Sequence, residues 1–315
     1  MGKIAFVFPG QGSQTVGMGQ SLAEKDESVR SIFQKADDKL GFALSNIIFE
    51  GPQEELTLTT NAQPALLTTS VAILDYFKQA NIEADYVAGH SLGEYTALVA
   101  AGALSFEDGV YAVRKRGEFM EEAVPNREGT MAAVLGLDRH ELKKVTDEIT
   151  KDGDPVQLAN INCPGQIVIS GSRQGVELAS VKGKEVGAKR VLPLEVSGPF
   201  HSSLMKPASD KLSAVLDEVE IHEAKIPVIA NVSATAMTNP SEIKEKLIEQ
   251  LYSPVQWEDS VKKMIDLGVD TFIEIGPGKV LSGLVRKIDR NVTTYAISDE
   301  ESFKSVYEAL KEGVQ

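Results

Sequence analysis

The sequence predicts an α/β fold in which a parallel sheet is interrupted by an inserted small domain, and three features carry that prediction. Residues 3–8 (KIAFVF) form an unbroken apolar run that stops at Pro9-Gly10, the pattern of a strand buried on both faces. Tyr86 to Gly89 form a second short apolar segment that runs straight into GHSLGEYTALVAAGAL, a turn followed by a helix. Strand and helix patterns alternate along the chain, except between about residues 129 and 196, where the rhythm changes.

The remaining elements follow in order. A glycine-rich loop succeeds the first strand, and residues 64–79 carry helical periodicity. Residues 106–124 form a helix with an apolar stripe at Phe106, Val110, Val113, Met120 and Val124, preceded by Ser105 as its cap. MAAVLGL then reads as a strand and RHELKKVTDEI as a helix. VQLANI and QIVISG read as two strands joined through NCPG, GVELASVKGKEVG as a helix and RVLPLEV as a strand. That β-α-β-β-α-β order is the ferredoxin-like unit, and it predicts a small domain at 129–196 inserted between 1–128 and 197–315. Beyond it, PVIAN reads as a strand, SEIKEKLIEQL as a helix, and DTFIEIGPGK as a strand, turn and helix start. NVTTYAI is the last strand and SFKSVYEALKEG the last helix. A site is expected at the junction of the two domains, because such junctions favour concave pockets.

Composition narrows the function. At 315 residues, with 42% hydrophobic and 25% charged residues, the chain has the balance of a globular protein. A formal charge of -14 argues against a nucleic-acid binder, which needs a concentrated basic surface. No apolar stretch approaches the roughly 18–20 residues that span a bilayer, and no signal-peptide pattern surrounds Lys3, so a cytoplasmic protein is expected. The single cysteine, Cys163, excludes an internal disulfide and reads as structural; no histidine pair has the i, i+4 spacing of a metal site.

Gly89-His90-Ser91-Leu92-Gly93 is a G-x-S-x-G elbow lying between strand and helix, the context that makes the pattern meaningful. Its glycines permit the sharp turn, and Ser91 becomes the candidate nucleophile. A serine needs a base to take its proton. His90 adjoins the nucleophile but is directed elsewhere by the turn, and His140 and His222 lie in charged segments. His201, among the turn residues Ser197-Gly198-Pro199-Phe200-His201-Ser202, is the remaining choice. Arg116 lies nearer the apolar stripe of its helix than Lys115 does, which points its charge at a groove; a solvated Arg114-Lys115-Arg116 run reads equally well from spacing alone. The loop Gly10-Gln11-Gly12-Ser13-Gln14 could cradle phosphate, yet it departs from G-x-G-x-x-G; its N–H groups could instead join that of Leu92 as an oxyanion hole.

Taken together, FPGQGSQ at 8–14, GHSLGEY at 89–95, VRKRGEFM at 113–120, GPFHSSLM at 198–205 and EIGPGKVL at 274–281 resemble the malonyl-CoA:acyl carrier protein transacylases over essentially the whole chain. The resemblance implies a large domain like the α/β hydrolases and a ferredoxin-like small domain. It implies transfer of malonyl from coenzyme A to the phosphopantetheine thiol of acyl carrier protein, in fatty acid synthesis. By motif, Ser91 is the nucleophile, His201 the base, and Gln11 and Leu92 the oxyanion-hole donors. Arg116 clamps the malonyl carboxylate, and the main-chain carbonyl of Gln250 orients the histidine. Gln63, Asn162, Phe200 and His90 complete the expected substrate-binding set, with Phe200 and Leu92 in the malonyl-selective form. No cofactor or metal is expected, since malonyl-CoA is a substrate; the partners are malonyl-CoA and acyl carrier protein, with no nucleic acid and no membrane. An acidic enzyme meeting an acidic carrier must dock through local basic patches, for which Lys182, Lys184, Lys189 and Arg190, or Arg286, Lys287 and Arg290, are the candidates. A serine hydrolase and a non-catalytic scaffold are the rival readings.

Overall fold

The computed structural model describes residues 2–124 and 128–312. Its strands, in chain order, are β1 (Lys3–Phe8), β2 (Tyr86–Gly89), β3 (Gly129–Leu135), β4 (Val156–Cys163), β5 (Gln166–Ser172), β6 (Arg190–Pro193), β7 (Val228–Ile229), β8 (Ala236–Met237), β9 (Val269–Ile275) and β10 (Thr293–Ile297). They form a mixed α/β fold with two sheets. One has the order β10-β9-β1-β2-β7-β8, parallel except for the short edge strand β8; the other has the order β4-β5-β3-β6 and is antiparallel throughout. Every strand of the second sheet comes from residues 129–193, and every strand of the first from outside them. Helices α1 (Gln20–Lys25), α2 (Glu27–Leu40), α3 (Leu44–Glu50), α4 (Gln53–Thr57), α5 (Thr59–Phe77), α6 (Gly93–Ala100) and α7 (Phe106–Ala123) precede the insertion, which contributes α8 (Arg139–Lys151) and α9 (Arg173–Glu185). After it come α10 (Lys206–Glu218), α11 (Pro240–Gln250), α12 (Trp257–Asp266), α13 (Val280–Ile288) and α14 (Glu300–Glu312). Among the described residues no helix is long and apolar enough to cross a membrane.

The central strands explain why the site forms where it does. Phe8 pairs with Gly89, so β1 and β2 end level with each other at the carboxyl edge of the parallel sheet, the edge where ligands bind in such folds. Gly276 in the turn after β9 is packed so closely that a side chain would meet Ser70 Oγ at 2.5 Å and Pro9 Cγ at 2.7 Å, which holds the β1 exit loop in place. Glu274 secures the following helix. Its carboxylate accepts from the main-chain N–H groups of Leu281 (3.0 Å) and Ser282 (2.7 Å) at the start of α13. The EIGPGK segment is thereby accounted for by packing and capping.

Boundaries differ from the pattern-based reading where long-range contacts intervene. The helix expected at 64–79 is α5, which starts five residues earlier, at Thr59, despite Pro64 in its second turn. Proline removes one backbone donor, and the carbonyl left over at Thr60 accepts instead from Arg114 Nη1 at 3.0 Å. RVLPLEV keeps strand geometry only to Pro193, and PVIAN only at Val228–Ile229, because the residues that follow turn towards the cavity and the elbow. Alternation of strand and helix is silent about residues 20–57, where α1 to α4 stand. Gly313, read as the end of the last helix, lies outside the described residues, as do 125–127 beside the expected domain boundary.

Gly117 lets α7 lie directly on the first turn of α5: a Cβ there would meet Thr59 O at 2.9 Å and Thr60 Cα at 3.0 Å. Helix propensity favours alanine by roughly 1 kcal/mol, but backbone atoms cannot yield as a side chain can, and overpacking costs about 1–3 kcal/mol. Gly117→Ala is therefore expected to lower the urea midpoint, as measured by equilibrium unfolding; an unchanged or higher midpoint would show that α5 can move away.

Candidate active site

The elbow between β2 and α6 is built backbone on backbone. A side chain at Gly89 would lie 1.9 Å from the Gly93 carbonyl carbon, and one at Gly93 would lie 2.2 Å from Phe8 O, so both positions exclude any other residue. The turn sets Ser91 at φ 52°, a left-handed conformation that is strained for a serine. Its carbonyl accepts from Glu94 N in the first turn of α6, and its hydroxyl points into a cavity of about 570 Å³.

His201 reaches the same hydroxyl from the opposite wall. It follows the inserted unit in a turn, at φ 56°, and is almost fully buried. Ser202 Oγ closes that turn by donating to Pro199 O at 2.7 Å. The His201 Nε2 atom lies 2.7 Å from Ser91 Oγ, and Nδ1 lies 2.8 Å from the main-chain carbonyl of Gln250. A carbonyl can only accept, so Nδ1 carries the proton and Nε2 is left free to accept from the serine. Burial, reinforced by the nearby Arg116 charge, pushes His201 down to about 3.

Arg116 is buried, so the solvated run does not describe it; Arg114 and Lys115 instead share Glu118. Its Nη2 donates to Ser91 Oγ (3.1 Å) and Gln250 Oε1 (2.9 Å), and Nη1 donates to Gln63 Oε1 (2.8 Å). All three acceptors are neutral. The nearest link to an acid runs through Gln250, whose Nε2 donates to Glu94 Oε2 at 2.8 Å. Burial opposes both charges: it draws the guanidinium downward and pushes Glu94 up to about 7.

The structure brings Gln11, His90, Ser91, Leu92, Arg116, Phe200 and His201 together as lining of one cavity. Among the described residues, neither the Gln11 nor the Leu92 main-chain N–H donates a hydrogen bond to the protein, while Gln11 Nε2 is held by Thr59 Oγ1 at 3.2 Å. Gln63, Asn162 and Gln250 stand behind that lining. Gln63 and Gln250 hold the guanidinium, and Asn162 Oδ1 lies 2.9 Å from His90 Nε2, joining the small sheet to the elbow. Motif reading missed Asn160, Met120 and Met131, which line the cavity, and a hydrogen-bonded chain of Thr59, Ser197 and Glu121 along its wall. It also missed Asn231, whose signal was a polar residue at the carboxyl end of a parallel strand.

A cavity at the strand ends of an α/β sheet, holding a serine, a neutral histidine and a buried cation, is an acyl-transfer site, and the sequence relationships agree. The acyl transferase domain family matches residues 5–302, and the chain belongs to it. Within that family the likeness is to the malonyl transferases. The chain is 64% identical over 312 residues to the malonyl CoA-acyl carrier protein transacylase of Bacillus subtilis (strain 168), covering 99% of this chain and 98% of that one. It superimposes on the crystal structure of an acyl carrier protein S-malonyltransferase from Vibrio cholerae with a TM-score of 0.94 and 46% identity, covering 96% and 99% of the two chains. A type II PKS acyl-carrier protein in complex with its malonyl-transacylase gives a TM-score of 0.94 at 42% identity, covering 98% and 99%.

Held near 3, His201 is neutral over the whole range where an ordinary histidine titrates, which is the form a general base for the adjacent serine requires. Single-turnover acylation followed by rapid quench is expected to stay flat from about pH 8 to about pH 5. A fall with a midpoint near the ordinary histidine value that persists in Glu94→Gln, which removes the one carboxyl of this frame pushed up to about 7, would show that His201 is not desolvated in solution.

Proposed function

We propose that this chain moves malonyl from malonyl-CoA to the phosphopantetheine thiol of acyl carrier protein through an ester on Ser91, for fatty acid synthesis in the cytoplasm. The observation that carries the proposal is the convergence on one oxygen: Ser91 Oγ has His201 Nε2 at 2.7 Å and Arg116 Nη2 at 3.1 Å. The first supplies the base. The second supplies a fixed cation within reach of whatever acyl group the serine carries.

In the first half-reaction His201 Nε2 takes the Ser91 proton as Oγ bonds to the thioester carbon. The oxyanion that forms is received by the main-chain N–H groups of Gln11 and Leu92, which are free of protein acceptors. Collapse breaks the carbon–sulfur bond, and the imidazolium returns its proton to the leaving coenzyme A sulfur. In the second half the carrier thiol gives its proton to the same nitrogen and attacks the ester; collapse then restores the serine hydroxyl with that proton. Proton and acyl group balance in each half, so the ping-pong cycle requires no cofactor. Phe200 and Leu92 limit the space around the acyl group, and His90, fixed by Asn162, forms the wall next to the nucleophile. We read the parallel-sheet part, 1–128 and 197–315, as an α/β-hydrolase-like domain and 129–196 as a ferredoxin-like one; the segregation of strands between the two sheets supports this. For the carrier, Lys287 Nζ donates to Gln166 Oε1 (3.1 Å), and Leu135 pairs with Gln166 on one side and Arg190 on the other, so one residue of each basic patch lies at the same end of the small sheet, which supports docking there. Lys182 is already paired with Glu148 and lies less freely.

Arg116 decides the acyl group in this scheme. A carboxylate entering the cavity finds a guanidinium with no charged partner of its own, whereas an acetyl group leaves that cation unanswered. Arg116→Ala is expected to cost about 3–5 kcal/mol in kcat/KM for malonyl-CoA, by analogy with a broken buried ion pair. Acetyl-CoA should be spared or improved. Equal losses for the two thioesters would assign Arg116 to the fold and overturn its role as carboxylate clamp.

A further inference from the structure

Two side chains, neither of them lining the cavity, hold the strained main chain of Ser91. Gln250 Nε2 donates to Ser91 O at 3.0 Å. Asn231 does more. Its Oδ1 accepts from Ser91 N at 2.7 Å, and its Nδ2 donates to Gly89 O at 2.7 Å, so one carboxamide spans the elbow from the last residue of β2 to the nucleophile. Oxygen and nitrogen cannot be exchanged in that amide, since an N–H faces one end and a carbonyl the other. The side chain extends the β2–β7 pairing past the point where both strands stop.

Asn231 is itself immobilised. It is fully buried, its N–H donates to Glu94 Oε2 at 3.1 Å, and its carbonyl accepts from Gln256 N at 2.8 Å. Glu94 Oε2 also accepts from Gln250 Nε2, and the Gln250 carbonyl accepts from His201 Nδ1. The nucleophile and its base are therefore referenced to one buried frame. A serine at positive φ persists only where its surroundings over-determine it, and here the N–H of that serine has the Asn231 carboxamide as its partner.

We infer that Asn231 is a positioning residue for the reaction, holding Ser91 in its left-handed conformation by bridging Ser91 N–H and Gly89 C=O. The inference rests on Ser91 being the acylated residue. It predicts that loss of the bridge lowers the rate of acylation and leaves malonyl-CoA binding almost intact, because Asn231 touches no part of the cavity. It also predicts a distinctive pH response in Asn231→Asp. A carboxylate still accepts from Ser91 N–H but sets a second lone-pair oxygen against Gly89 O; a protonated carboxyl accepts and donates as the amide does. The charged and titratable groups around it are His90 within the bridged turn, Glu94 on α6, and Arg116 on α7 and His201 behind Gln250. Glu94, pushed up to about 7, would share its proton with a carboxylate at 231, so the variant-to-wild-type ratio is read in a Glu94→Gln background as well, where residue 231 is the carboxyl that remains.

The experiment is single-turnover malonylation of the full chain, with the site of labelling mapped by peptide mass spectrometry and binding measured separately. Asn231→Ala should acylate about 100-fold more slowly, the effect of a misplacement on the order of 1 Å, with malonyl-CoA affinity changed less than about threefold. Asn231→Asp should be similarly slow near pH 8 and recover at least about tenfold relative to wild type near pH 5, as a buried carboxyl regains its proton. Rates within twofold of wild type, or a variant-to-wild-type ratio that is flat with pH, overturn the inference. So does loss of the fold in both variants, which would make Asn231 a stability residue. Failure of the wild type to label Ser91 would instead remove the mechanism on which the inference rests.

Discussion

The contact on which the rest of the site depends is the packing of bare backbone around Ser91. Gly93 lies against Phe8 O, Gly89 against Gly93, and Gly10 against His90 O, at distances that leave no room for a Cβ. These approaches bring the exit of β1 and the exit of β2 together. They place the Gln11 and Leu92 N–H groups on one cavity and oblige Ser91 to adopt φ 52°. Such a conformation costs on the order of 1–3 kcal/mol, and the fold offsets it with hydrogen bonds to both main-chain groups of the serine. In the proposed mechanism the hydroxyl is thus aimed before substrate arrives, which removes reorganisation from the chemical step.

Charge is arranged with the same economy of movement. Gln250 accepts from His201 Nδ1 with its carbonyl, accepts from Arg116 with its side-chain oxygen, and donates to Ser91 O and Glu94 with its nitrogen. One residue therefore registers base, nucleophile and cation against each other. The guanidinium has neutral acceptors as its direct partners, an arrangement that costs several kcal/mol of desolvation when no anion is present. An incoming carboxylate recovers part of that cost and a neutral acyl group does not. In the proposed scheme, selectivity follows from an electrostatic deficit built into the resting site.

Legibility in the sequence tracked the range of the interactions. β1, the β2–α6 elbow and the β-α-β-β-α-β run were readable because a strand or helix writes its period into neighbouring residues. α2 was not read, although Asp26 caps it by accepting from Ser28 N and Val29 N. The early start of α5 was not readable, because the carbonyl released by Pro64 is bound by Arg114, 54 positions away from Thr60. Ser91 followed from its motif. The motif could not show that His90 turns to Asn162, that Gln63 serves Arg116, or that Asn231 spans the elbow, because each of these depends on segments joined only by the fold. Glu94 is the sharpest case: an acid in the first turn of a helix looks like a dipole partner, yet here it is buried beneath the catalytic frame.

Covalent capture tests this account most directly. Intact-protein mass spectrometry after mixing the chain with malonyl-CoA, followed by addition of carrier protein bearing its phosphopantetheine thiol, should show one malonyl group mapped to Ser91. The label should then leave the enzyme and appear on the carrier. Labelling at another residue, or loss of the group as free malonate without transfer, would contradict it.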